Sequence, residues 1–112
     1  MQIANAALPE KKARLTLLVD SGAVYSVIPS RVLTRLGIEP HSSRSFILAD
    51  GSDISRRIGD ALFFIGKNRG ASPVIFGEEG DSALLGVVTL EALGMTLDPI
   101  RRELRPLPML LG

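Results

Sequence analysis

At 112 residues the chain has the size of one ordinary domain with a single core, and it is short for a two-lobed enzyme that carries both catalytic halves itself. Hydrophobic residues make up 46% and aromatic residues only 4%, so the core is expected to be aliphatic; the net charge is +1 and the 13 basic residues are spread along the chain, which does not suggest a nucleic-acid partner. Cysteine is absent, which excludes a disulfide framework, a thiolate metal site and a cysteine nucleophile together.

Met1-Gln2-Ile3-Ala4-Asn5 lacks a basic stretch followed by an apolar one, and no apolar run reaches the roughly 18 residues of a membrane span. The expectation is a soluble, cytoplasmic protein with no membrane partner. Residues 1–112 read as one domain, with no appended domain to target it.

Residues 2–5 predict a short strand and residues 8–11 a turn, after which a long apolar strand runs from about residue 13 to Val19. Asp20 then ends that strand where charge is costly unless it is hydrogen-bonded or shared. Ser21 brings a hydroxyl able to bond the carboxylate, and Gly22 lets the backbone turn tightly or approach another chain. Residues 25–28 predict the next strand. Ser30 is placed as the N-cap of a short helix whose apolar face is Val32, Leu33 and Leu36, and Gly37 is its stop.

Residues 44–49 and 52–58 predict a hairpin about Asp50-Gly51, the strongest turn signal in the chain. Its arms carry Arg44, Ser45, Asp53, Ser55, Arg56 and Arg57, which cannot all be buried, so the hairpin is expected to project from the body. Gly59 is read as a break before a strand over 61–65, residues 66–70 as a turn, 74–76 as a strand and 77–81 as a loop. The apolar segment Leu84-Leu85-Gly86 leads to a second short helix over 89–94, again stopped by glycine, and 95–98 and 103–105 predict a last hairpin. The tail from Pro106 is apolar and proline-bearing, which fits an edge or interface strand. Residues 28–40 and 86–99 echo each other as strand end, short helix, Leu-Gly and proline, a pattern that predicts an internal pseudo-twofold with the acid in one half and not the other.

Taken singly, these features have ordinary structural readings. An aspartate at a turn accepts backbone N–H bonds, Asp50-Gly51 is a hairpin turn in its own right, and Leu84-Leu85-Gly86 is core followed by a turn. Asp53, Asp60, Asp81 and Asp98 sit in polar or turn contexts and are expected to be solvated or capping. His41 has no second ligand at metal spacing, and neither Ser21 nor Ser26 has a partner histidine, so neither a metal site nor a serine nucleophile is predicted.

Together, Leu18-Val19-Asp20-Ser21-Gly22-Ala23, Leu48-Ala49-Asp50-Gly51 and Leu84-Leu85-Gly86-Val87, with Leu93-Gly94 and Asp98-Pro99 beyond, resemble the retropepsin-like aspartic proteases, and more narrowly their small prokaryotic members. The resemblance implies a mainly β fold, a closed barrel-like lobe with two short helices, paired as a homodimer. It implies Asp20 as the catalytic acid, Ser21, Gly22 and Ala23 as its supporting loop, and Ala49, Asp50, Gly51 and Ser52 as the tip of a flap. Leu84, Leu85 and Gly86 are implied as the second motif, beside the groove. Serine in place of the commoner threonine at position 21 removes a methyl from the brace between subunits. The implied reaction is hydrolysis of an extended peptide by water held between two carboxylates, without metal or cofactor, and one chain supplies only one of the two. The alternatives are a non-catalytic dimerisation or peptide-binding module of the same fold, and an unrelated small β-domain in which all three motifs are turns.

Overall fold

The computed structural model describes residues 1–108. Ten strands and two short helices alternate in the order β1 (Gln2–Asn5), β2 (Leu8–Arg14), β3 (Leu18–Val19), β4 (Ser26–Pro29), α1 (Ser30–Arg35), β5 (Ser42–Ile47), β6 (Asp53–Ile65), β7 (Asn68–Gly77), β8 (Leu84–Leu85), α2 (Val87–Ala92), β9 (Met95–Asp98) and β10 (Glu103–Pro106). The fold is mainly β with two short helices, as expected.

One sheet follows the path β2-β1-β6-β7-β4-β8-β3, with β5 paired to β6 beside it, and β9 and β10 form a two-stranded sheet of their own. The path is open at both ends, which corrects the expectation of a closed barrel. The physical reason lies in residues 15–17, where the predicted long strand breaks: β2 stops at Arg14 and only Leu18 and Val19 resume, too short a piece to bridge back to β2.

Other boundaries move for local reasons. The first turn falls at residues 6–7, earlier than predicted, because Asn5 Oδ1 accepts the Ala7 N–H at 3.0 Å and closes an Asx turn, leaving Pro9 inside edge strand β2 where no N–H is missed. Ser30 does not cap α1: its Oγ donates to the Gly77 carbonyl at 2.8 Å, and Pro29 holds the N-cap position without a side-chain bond. Both helices do stop at glycine, Gly37 and Gly94, in the left-handed region. Gly59 does not break the hairpin's return arm. β6 runs on to Ile65, and a Cβ at Gly59 would stand 2.9 Å from the Phe76 ring and 3.1 Å from the Glu39 carbonyl, so glycine there admits the chain crossing from α1.

The core lies between the sheet and the helices. Phe63, Phe76, Ile3, Ile28, Leu33 and Leu85 are at most 2% exposed, and each fully buried side chain of this size contributes about 1.5–3 kcal/mol. Two of the few aromatics thus sit at the centre of an otherwise aliphatic core.

The predicted echo is a real internal relation. In the first unit β3, a loop over 20–25, β4 and α1 follow in order; in the second, the last part of β7, a loop over 78–83, β8 and α2 do. Each second strand pairs in parallel with the first strand of the other unit, Ser26 to Pro29 against Val74 to Gly77 and Leu18-Val19 against Leu84-Leu85. The two units meet in antiparallel contact at Val27 and Leu84. Of the tail expected as an edge or interface strand, Leu107 donates its N–H to the Gly94 carbonyl at 2.8 Å, and residues 109–112 lie outside the described residues.

Candidate active site

Asp20 stands at the first position after β3, half-buried, in a loop whose backbone is fixed from both sides. Its N–H donates to the Leu85 carbonyl at 3.0 Å, extending the parallel β3–β8 pairing by one residue, and its own carbonyl accepts the Ala23 N–H at 3.1 Å. The Gly22 N–H donates to Asp20 Oδ1 at 2.9 Å. A Cβ at Gly22 would lie 3.2 Å from that oxygen, tighter than ordinary contact. Ser21 is exposed and its hydroxyl is not bonded to Asp20 within the chain.

The Leu84-Leu85-Gly86 motif is therefore brought directly against the acid. Gly86 is where the loop's return crosses: a Cβ there would be 2.5 Å from the Tyr25 carbonyl carbon and 2.9 Å from the Ser26 nitrogen. The first N–H groups of α2 are satisfied by the same loop, Val87 donating to the Ala23 carbonyl at 2.9 Å and Val88 to that of Val24 at 3.0 Å.

Beneath the loop runs a chain of buried hydroxyls that sequence reasoning missed. Ser26 Oγ accepts the Gly86 N–H at 2.9 Å and shares a hydrogen bond with Thr89 Oγ1 at 2.5 Å. Thr89 Oγ1 also bonds Ser72 Oγ at 2.9 Å, and Ser72 donates on to the Pro73 carbonyl. Small hydroxyl residues inside three different apolar segments were the available signal.

The hairpin of β5 and β6 is confirmed as a hairpin, with Ile47 opposite Asp53 and a tight turn in which the Gly51 N–H donates to the Leu48 carbonyl at 2.9 Å. Ala49, Asp50, Gly51 and Ser52 form its exposed tip. Asp50 accepts the hydroxyl of Ser52 and, after it, the Ser52 N–H, which together lower its carboxyl below the ordinary value. Side chains tie the hairpin's arms to the body: Arg44 Nη1 donates to the Tyr25 hydroxyl at 2.6 Å, Arg56 grips Asp81 through Nε at 2.8 Å and Nη2 at 3.0 Å, and Arg57 Nη2 donates to Ser30 Oγ at 3.3 Å. Under it lies a cavity of about 260 Å³ walled by Val27, Phe46, Leu48, Ile54, Ile75 and Leu84. The arms' alternation of Phe46, Leu48 and Ile54 with polar residues was the signal for this apolar underside. Asp20 is not among the residues that line it.

The second unit carries acids at the matching place, contrary to the expectation that only one half would. Glu78-Glu79-Gly80 stands where Asp20-Ser21-Gly22 does, and the Asp81 N–H donates to the Glu78 carbonyl at 3.0 Å as Ala23 does to Asp20. Their electrostatics differ. Asp81 is paired with Arg56, which holds its carboxyl below the ordinary range, and Glu78 lies 3.8 Å from Arg57. Among the described residues no cation lies within 4 Å of the Asp20 carboxylate. The two loops sit at opposite ends of β4, beside Ser26 and beside Pro29, so the acids do not share a site within one chain.

His41 is exposed and faces Asp60 at 3.4 Å, and Asp98 sets the turn between β9 and β10 by accepting the Ile100 and Arg101 N–H groups. Among the described residues no group of three or more His, Cys, Asp or Glu side chains is placed to hold a metal, and no helix is long and apolar enough to cross a membrane. Searches against protein-family models, curated proteins and solved structures find no match to this chain.

Proposed function

We propose that the chain is an aspartic endopeptidase of the retropepsin-like type, active as a homodimer in which each subunit contributes Asp20. The observation that carries this reading is the contrast between the two matching loops. In one of them Glu78 and Asp81 have arginine partners close by, whereas Asp20 is half-buried and free of any cation within 4 Å among the described residues. A carboxylate neutralised by arginine is a poor base; one held by a single main-chain donor keeps lone pairs for water.

The apolar surroundings support pairing. Leu18 and Val24 flank the acid loop at 67% and 60% exposure, surface that a second copy of the same loop would cover. Two Asp20 carboxylates brought together across a twofold share one proton, because like charges that close cannot both ionise. The ionised member takes a proton from water as its oxygen attacks the scissile carbonyl carbon, and the protonated member donates to the carbonyl oxygen. Collapse of the resulting diol breaks the C–N bond and passes a proton to the leaving amine. An extended peptide lies between the subunits under the β5–β6 hairpins, with apolar side chains directed at walls such as Phe46 and Leu84.

The test is cleavage of a diverse peptide library between about pH 3 and pH 8, the span over which a coupled carboxylate pair titrates, by wild type and Asp20→Asn. Loss of cleavage in a variant that still sediments as a dimer is the expected result. Cleavage that survives the substitution refutes the mechanism, and a dimer without cleavage in either protein leaves a peptide-binding module in its place.

A further inference from the structure

The edge at the opposite end of the strand path from β3 has main-chain groups that no strand among the described residues takes. β2 is the end of the strand path and, among the described residues, is paired on one side only, with β1. Met1 and Leu15 exchange both N–H···O bonds, at 3.0 and 3.1 Å, which fixes the alternation of the ladder. Ala13 opposite Ile3 is the next residue turned toward β1, so Lys12 and Arg14 turn their own N–H and C=O groups to the open edge.

The side chains of those two residues are basic, and register places them among others of the same sign. Arg14, Gln2, Phe64 and Arg69 stand directly opposite one another across β2, β1, β6 and β7, and so share one face. Lys12 is two residues from Arg14 on that face, its Nζ 4.4 Å from the centre of the Phe64 ring, and the Arg69 guanidinium approaches the same ring at 5.8 Å. Arg14, Lys12 and Arg69 are exposed, and among the described residues none has a carboxylate within 4 Å. Glu10, further back along β2, is the nearest acid in sequence and pairs with none of them. Cations held over a ring give up part of their hydration and side-chain freedom in advance, which lowers the cost of meeting an anion.

We propose that the β2 edge takes an acidic, extended segment of a partner protein as an added strand, with the partner's main chain bonded at Lys12 and Arg14 and its carboxylates on Arg14, Lys12 and Arg69. Free strand groups call for a polypeptide, where charge alone would accept any polyanion. Lysine on an edge also discourages self-pairing, and strand addition by an acidic partner is what such an edge still permits.

The experiment is a fluorescence-anisotropy titration of the full chain with a fluorescein-labelled ten-residue peptide of alternating glutamate and valine, at low and at physiological salt. Saturable binding is expected, weakened at least tenfold by Lys12→Glu with Arg14→Glu. A peptide of equal charge interrupted by proline, which cannot form the ladder, is expected to bind at least tenfold more weakly to the unaltered protein, so the outcome does not depend on the variant's folding. Equal binding of the proline peptide, or stronger binding of a single-stranded oligonucleotide of matched charge, overturns strand addition, and so does an absence of binding. Neither result bears on cleavage at Asp20, which stands at the other end of the strand path.

Discussion

The backbone N–H of Asp20 reaches the carbonyl of Leu85 at 3.0 Å, and through that bond the acid loop is set by a strand from the far end of the chain. The next residue along, Gly86, lies so close beneath Tyr25 that any side chain would push the loop away. Gly86→Ala is therefore expected to destabilise the fold by about 3 kcal/mol, the upper part of the range for overpacking. Urea unfolding measures it, and a loss under about 1 kcal/mol would mean that the loop does not rest on Gly86.

Thr89 joins Ser26 to Ser72 in the buried hydroxyl chain. Thr89→Val keeps the shape and removes two bonds; Ser72 still donates to the Pro73 carbonyl and Ser26 still accepts the Gly86 N–H, but the buried Ser26 hydroxyl proton loses its acceptor, at a cost of about 1–3 kcal/mol. Combined with Ser26→Ala, the losses are expected to be non-additive, because both changes break the same bond. Additive losses in a double-mutant cycle would show the hydroxyls to be independent.

Asp81 titrates lower in the folded protein than its ordinary value of 3.8, first because Arg56 bonds it. A carboxylate with a depressed folded pKa adds stability above its unfolded value and loses that addition as pH falls through the folded one. Arg56→Gln is thus expected to lower the unfolding midpoint at pH 6 by an amount that shrinks as pH falls below that ordinary value and through the lower folded one, where Asp81 becomes neutral in the unaltered protein as well. No difference between the two midpoints at pH 6, or a difference that widens as the solution is acidified, would contradict the pairing.

Arg44 ties the β5–β6 hairpin to Tyr25 by one exposed hydrogen bond and a ring contact at 5.5 Å. Arg44→Ala is expected to change global stability by less than about 1 kcal/mol. Amide exchange in residues 42–58 is expected to speed severalfold while the core of β6 and β7 stays protected. Unaltered exchange in the hairpin would show that the Arg44–Tyr25 tie does not hold it and that the ties of Arg56 and Arg57 suffice.

The parts of this architecture that sequence made legible are those written locally. Gly37 and Gly94 after apolar helical faces, Asp50-Gly51 between strands, and the recurrence of strand, helix and Leu-Gly could each be read within a dozen residues. The misreadings have long-range causes. Ser30 serves Gly77 instead of its own helix, and Gly59 accommodates Glu39 and Phe76 instead of ending a strand. The match between Glu78-Glu79-Gly80 and Asp20-Ser21-Gly22 was hidden because it is one of backbone position, while the residue types differ. For the site, the acid and its glycine were visible, but the hydroxyls beneath and the arginines that distinguish the two loops belong to segments far apart in sequence.

The parallel pairing of Leu18-Val19 with Leu84-Leu85 also orders events in time. β3 ends the sheet and its only strand partner among the described residues is β8, so in a chain emerging from synthesis the Asp20 N–H lacks its Leu85 acceptor until that residue is available. Contacts of such separation form late, after the β6–β7 hairpin has had time to close on local contacts. The carboxylate is thus among the last groups to be put in place, and a partly made chain carries its acid on an unanchored loop.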